Sequence, residues 1–257
     1  MFPVIQFIRH WLYRVNAHSL HSPFLYDFYT QVIAADDPTP FHAEEKLRKE
    51  LLRDDTRLTI EDMGAGSRIN NSNQRSIKSI ARHASTPGRF SRLLARSIQY
   101  FDHQHILELG TSLGLNTLHM HRLNPQASIR TLEGSAEIAA RAQSHFNQYG
   151  ATSIALTLGN IDETLANVLS GIDKVDFVYM DANHRYEPTL RYFEQILPKL
   201  HEQSIVVVDD IHWSREMNRA WQELTQRPEV SLSLDLFEGG FLFFDPKLQK
   251  ECYLLSY

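Results

Sequence analysis

The sequence predicts an α/β fold: a doubly wound, mostly parallel seven-stranded sheet with a C-terminal antiparallel hairpin, preceded by an N-terminal helical extension. Two observations predict it. Five short apolar runs, "HILELG", "IRTLEG", "IALTLG", "VDFVYMD" and "SIVVVDD", alternate with amphipathic stretches near 115–123, 136–149, 161–170 and 187–200. Strands that are apolar throughout, each followed by a helix, build a parallel sheet covered on both faces. After a further helix near 214–226, "VSLSLDLF" and "GGFLFFD" are joined by little more than Glu238 and Gly239. So short a link leaves no room for the crossover that a parallel pair needs, and the two are antiparallel neighbours.

Residues 1–74 read as the helical extension, a candidate lid, and 75–257 as the main domain. The first 58 residues show helical patterns interrupted at "HSPF" and "DDPTPF", where proline restricts the residue before it, and no convincing strand. In the opening stretch Ile5, Ile8, Leu12 and Val15 follow helical spacing and are expected to pack on the main domain, with membrane-surface binding the lesser alternative. "AEEKLRKELLRDD" is a charged helix in which Glu45 and Lys49 stand four apart. From 75 to 101 the pattern is again helical, with a break at Thr86, Pro87 and Gly88.

A composition of 42% apolar and 22% charged residues is that of a globular chain. A net charge of -5 disfavours nucleic acid as a partner, although Arg82, Arg89, Arg92 and Arg96 are candidates for a local basic face. The opening stretch is broken by Arg9, His10 and Arg14 and lacks the uncharged run of a signal peptide or a membrane span. A single cysteine, Cys252, excludes an intrachain disulfide and a Cys-rich zinc site, and makes the cytoplasm the expected location.

Two segments share the grammar of a cofactor loop: "TIEDMGAGSR" at 59–68 and "HILELGTSLGLNT" at 105–117. In the second, Gly110 permits the tight turn out of the strand and Gly114 lets the next helix pack close. Ser112 stands where a dinucleotide loop would need its middle glycine, which points to a ligand without a pyrophosphate. Glu133 follows Gly110 by 23 residues at the tip of the next strand, where a carboxylate can bind ribose hydroxyls. Counting about as far from Gly64 finds neither strand nor acid. The first segment is therefore expected to be a turn or hinge.

With "ELGTSLG" on the first strand, Glu133 ending the second and "MDANH" ending the fourth, the stretch from about 86 to 245 resembles the Rossmann-like S-adenosylmethionine-dependent methyltransferases. The pair "MDANH" and "VVVDD" is most similar to the catechol and caffeoyl-CoA type of O-methyltransferase, which uses a divalent metal. The resemblance implies S-adenosylmethionine held by Glu108, Gly110, Thr111, Ser112, Gly114, Asn116, Glu133 and Asp181, with Asn160 and Ile161 near the adenine. It implies Asp181, Asp209 and Asp210 as ligands of a divalent cation such as Mg2+, hard oxygen donors suiting that ion. Asp210 departs from the Asn common in that family.

His184 falls where the family places its general base, commonly Lys, and with Asp181 is the catalytic expectation. An imidazole can accept a phenolic proton at neutral pH. His212 and Trp213, and His18 and His21, are candidates to line the acceptor pocket. The reaction implied is O-methylation of a small hydroxylated, aromatic acceptor assisted by a metal. Metal-independent transfer with His184 as base and a non-catalytic cofactor-binding protein are the alternatives. A homodimer is carried as an expected assembly, with no membrane span.

Overall fold

The computed structural model describes residues 2–60, 74–83 and 86–257. In chain order the first elements are α1 (Phe2–Tyr13), α2 (Pro23–Phe28), α3 (His42–Leu51), β1 (Arg57–Thr59), β2 (Gln74–Ser76), α4 (Ile77–His83) and α5 (Gly88–Tyr100). The alternating region follows as β3 (His105–Leu109), α6 (Leu115–Leu123), β4 (Ser128–Glu133), α7 (Ala136–Gln148), β5 (Ile154–Leu158), α8 (Ile161–Ser170), β6 (Phe177–Met180), α9 (Tyr186–Ile196), β7 (Ile205–Asp209) and α10 (Arg215–Gln226). The chain ends with β8 (Leu232–Asp235), β9 (Gly239–Phe243) and β10 (Glu251–Leu254). The α/β class read from the sequence is the fold observed, with its parallel strands and its antiparallel hairpin.

The chain forms two compact units, 36–171 and 1–35 with 172–257. In the first, β3, β4 and β5 run parallel, with Leu109 opposite Leu132 and Glu133 opposite Leu158. Leu107, Leu109, Ile129 and Leu132 are fully buried, which is what strands covered on both faces require. The N-terminal part of this unit departs from expectation in two places, and a third expectation falls on residues that are not described. Arg57–Thr59 is a strand, paired antiparallel with β2. Residues 61–68 of "TIEDMGAGSR", including Gly64 and Ser67, lie outside the described residues. Glu45 pairs with Arg92 at 2.9 Å and not with Lys49, while Lys46 and Glu50 form the i,i+4 pair.

Three arginines of the candidate basic face, Arg89, Arg92 and Arg96, are turned to one carboxylate of the same unit. Arg92 donates to both oxygens of Asp36 at 2.8 Å, Arg96 reaches the same carboxylate at 3.0 Å, and Arg89 lies 3.9 Å from it. These arginines fasten α5 to the chain entering α3.

In the second unit the strands lie in the order β10, β8, β9, β7, β6. β6 and β7 are parallel, whereas β9 is antiparallel to both β7 and β8, as the short link between β8 and β9 demands. β10, parallel to β8, is an eighth strand that the seven-strand reading lacks. Phe28 of α2 packs edge-on against Phe241 and Phe243 of β9. "HSPF" is a helix start: Ser22 caps α2 by accepting from Leu25 N–H, and Pro23 occupies the first turn, where no amide is missed.

The first helix reverses the expectation set for it. Ile5, Ile8 and Leu12 are more than half exposed instead of packed. Val15 is held through its backbone, by a bridge to Leu255.

Candidate active site

In unit 36–171 the turn after β3 is built from left-handed residues. Gly110, Ser112 and Gly114 have φ of 96°, 49° and 78°. A Cβ on Gly114 would stand 2.6 Å from the Phe146 ring of α7, so glycine is required both by conformation and by the approach of α6. Gly110 and Thr111 donate their amides to Leu132 O, and the Thr111 hydroxyl lies 2.5 Å from that of Thr131, which ties the turn to β4.

Glu133, half-buried at the end of β4, is gripped by backbone amides. Its two oxygens accept from Ser112 N–H and Ser135 N–H, each at 2.9 Å. Burial nevertheless raises its pKa. The carboxylate is oriented from behind and keeps lone pairs for two further donors, the requirement for binding a ribose diol.

Glu108, fully buried on β3, accepts from the Thr117 and Thr131 hydroxyls through Oε2 at 2.5 and 2.6 Å, while Oε1 has no hydrogen-bond partner. Burial pushes its pKa up to about 7. Asn116 places its amide between Ser91 and Thr86, so it holds the α5–α6 contact. Asn160 caps α8 by accepting from Asp162 N–H, with Ile161 the first residue of that helix. Beside them Leu158, opposite Glu133 across the sheet, is half exposed, a surface apolar residue that sequence reading passed over as a strand interior. The oriented Glu133 and the glycine-dependent turn fit a ligand that combines a ribose with hydrogen-bonding ends.

In the other unit the ends of β6 and β7 carry the acids. His184 stands between two of them, with Nε2 3.4 Å from Asp181 Oδ1 and Nδ1 3.9 Å from Asp210 Oδ2. Asn183, His184 and Asp210 all have positive φ, at 65°, 34° and 54°. Non-glycine residues rarely adopt this region, and such strain collects at functional sites. Neighbouring hydrogen bonds hold it: Asn183 donates to Tyr192 Oη, and Asp210 N–H donates to Glu238 O at 2.8 Å.

The Tyr179 hydroxyl donates to Asp209 Oδ2 at 2.6 Å. Burial and then the charge of Asp210 push Asp209 up to about 7. Burial also raises Asp210, against the pull of His184, and lowers His184, against the pull of Asp210. Burial therefore favours a neutral imidazole.

As arranged, these groups are not a metal-ligand set. Among the described residues no three His, Cys, Asp or Glu side chains are placed to hold an ion. His184 lies against Asp181 and Asp210, and Asp209 is engaged by Tyr179. His212 is likewise committed elsewhere: Nε2 lies 2.8 Å from Asp235 Oδ2 and Nδ1 3.1 Å from Asn218 Nδ2. Trp213, in the turn beginning at Asp210, is half exposed, and His18 and His21 are exposed. Tyr179 and Tyr192 escaped sequence reading because an aromatic in an apolar run signals core, and only its hydroxyl reaches the site.

Residues 107–211 match the family model described as a methyltransferase domain. None of the curated proteins matches the chain. Among solved structures the chain is similar to the O-methyltransferase TomG from Streptomyces achromogenes, in complex with SAM and involved in tomaymycin synthesis, at 22% identity, 62% of this chain, 80% of that one and a TM-score of 0.54. It is similar to an O-methyltransferase from Bacillus cereus in complex with SAH, at 16% identity, 84% and 94% coverage and a TM-score of 0.58. A SAH-bound methyltransferase from Podospora anserina matches at 19% identity, 64% and 81% coverage and a TM-score of 0.56. Residues 107–211 thus carry a methyltransferase-domain match, on a fold that the chain shares with SAM- and SAH-bound methyltransferases.

Proposed function

We propose that the enzyme methylates a hydroxyl of a small aromatic acceptor, with His184 as general base. S-adenosylmethionine, when bound, supplies a methyl on a positively charged sulfur, a leaving group that needs no protonation. The chain's task is then to align the two partners and to make the oxygen nucleophilic. Glu133 would hold the ribose, Gly110, Thr111, Ser112 and Gly114 the methionine end, and Asn160 with Ile161 the adenine. Glu108 and Asn116 support the turn and the α5–α6 contact from within.

The observation that carries the base assignment is the imidazole set between Asp181 and Asp210 on a left-handed backbone. The acceptor's O–H bond breaks toward His184 as its oxygen takes the methyl, and the S–CH3 electron pair stays on sulfur. The two acids would orient the ring and stabilise the imidazolium that forms. The half-exposed Trp213 indole supports an aromatic acceptor. Replacing His184 by Gln is expected to lower kcat about 10²- to 10⁴-fold and remove the acidic limb of its pH profile, with unchanged affinity for S-adenosylhomocysteine. An unaltered kcat would overturn the assignment.

A divalent cation, Mg2+ by ligand hardness, is the second reading of Asp181, Asp209 and Asp210. One observation favours it: Asp209 is driven up to about 7 partly by Asp210, a crowding of negative charge that a cation would relieve. Loss of turnover in EDTA, restored by Mg2+, would support it, and full turnover in EDTA would exclude it. No described helix is long and apolar enough to cross a membrane. The cytoplasmic location belongs to this proposal.

A further inference from the structure

α1 is an amphipathic helix that keeps most of its apolar arc outside. On its inner side His10 is buried, donating from Nε2 to Asp235 O at 3.0 Å, with Phe2, Pro3 and Gln6 half-buried, and the Phe7 ring at the edge of the arc meets Phe237 edge-on at 5.2 Å. Val4, Ile5, Phe7, Ile8, Trp11 and Leu12 are 50–61% exposed. At 3.6 residues per turn these six fall within about 160° of arc, opposite His10. Burying one such side chain stabilises by about 1.5–3 kcal/mol, so an apolar arc left outside, with a histidine inside, signals another partner.

The charge around the arc selects among partners. The first 26 residues contain no Asp or Glu, while Arg9 and Arg14 are exposed beside the apolar side chains. Arg215 of α10 adds a further cation, its guanidinium 6.0 Å from the Phe2 ring. A second copy of the helix would bring the same arginines together with no carboxylate from this segment to meet them. At about 18 Å long, two such helices also bury less than the roughly 1,200 Å² of a specific interface. An apolar arc holding Trp and Phe, bordered by Arg and free of acids, matches a surface of anionic lipid.

We propose that α1 docks the protein reversibly on anionic phospholipid membranes, lying in the headgroup plane with Trp11 and Ile8 inserted and Arg9 and Arg14 at the phosphates. The test is co-sedimentation of the full chain with vesicles of phosphatidylglycerol and phosphatidylcholine in equal parts, and of phosphatidylcholine alone. Binding is expected to the first at low ionic strength, to fall at least tenfold on phosphatidylcholine alone, and to weaken as salt is raised. Ile8→Asp and Trp11→Ser, both at exposed positions, are expected to lose vesicle binding at least tenfold while melting temperature and methyl transfer in solution stay as they were. Equal binding to both vesicle types would overturn the anionic assignment. No binding to either would overturn the proposal, as would sedimentation velocity showing a dimer that Ile8→Asp dissociates.

Discussion

Glu108 and Asp209 are both buried acids on parallel strands, and both are pushed up to about 7, yet they reach that state by different routes. Glu108 has neutral donors, two threonine hydroxyls sharing one of its oxygens, and burial supplies most of the shift with a smaller push from Glu133. Asp209 accepts from the Tyr179 hydroxyl and from the Asp210 backbone, and beside burial it faces the charge of Asp210. A raised pKa alone therefore does not distinguish a carboxylate that supports a turn from one that belongs to the reacting centre. The neighbours differ: hydroxyls and amides around Glu108 and Glu133, the carboxylates of Asp210 and Glu238 around Asp209.

The sharpest way to break this contrast is through Glu133, the amide-held acid. In the proposed role, where Glu133 holds the ribose, replacing it by Ala would remove charge-assisted bonds worth about 1.5–3 kcal/mol each, a loss of the order of a hundredfold to a thousandfold in affinity. Calorimetry with S-adenosylhomocysteine would measure it, and kcat at saturating cofactor is expected to change little. The opposite signature is expected of His184→Gln, which lowers kcat and spares affinity. Should both variants lower affinity alike, the division of labour between the two acid groups would fail.

Glu108→Gln is expected to stabilise the protein above neutral pH. The folded pKa lies above the unfolded value, so stability from this group is full below about 4.5 and is lost as pH rises through about 7. The gap corresponds to about 3 kcal/mol at alkaline pH, which the uncharged amide avoids. Chemical denaturation at pH 5 and pH 8.5 would show the wild type losing stability between the two and the variant losing less. Equal losses would mean that Glu108 is not the group responsible.

The division between what the sequence shows and what it conceals follows the same contrast. Central strands such as β3 and β7 are legible because they are buried on both faces and carry an apolar run, Ile106, Leu107 and Leu109 in one and Ile205–Val208 in the other. Gly114 is legible because a turn and a close approach demand it. β10, "ECYL", is only half-buried and lies at the sheet edge, so it carries no comparable apolar run. β1 is three residues long with both ends exposed. For α1, periodicity reveals the apolar stripe but not the direction it faces, because His10, a polar residue on the other side, found a carbonyl to bond. Candidate acids could be named from strand ends, whereas Tyr179 as Asp209's donor depends on the register of β6 against β7.

The smallest effect is the most discriminating for Asp209. Tyr179→Phe removes a hydroxyl that donates to a buried carboxyl and leaves the ring's packing in place, at a cost of about 1–2 kcal/mol. Because the bond is charge-assisted only when Asp209 is ionised, the loss should be larger at pH 8.5 than at pH 5. The sign follows from the raised folded pKa: stability from Asp209 falls as pH rises through about 7, and without its donor it falls further. A loss independent of pH would mean that Asp209 stays neutral throughout, a second Glu108 and not part of a charged centre. A loss that grows with pH, and that added Mg2+ abolishes, would instead mark the crowded acids as a place where a cation is welcome.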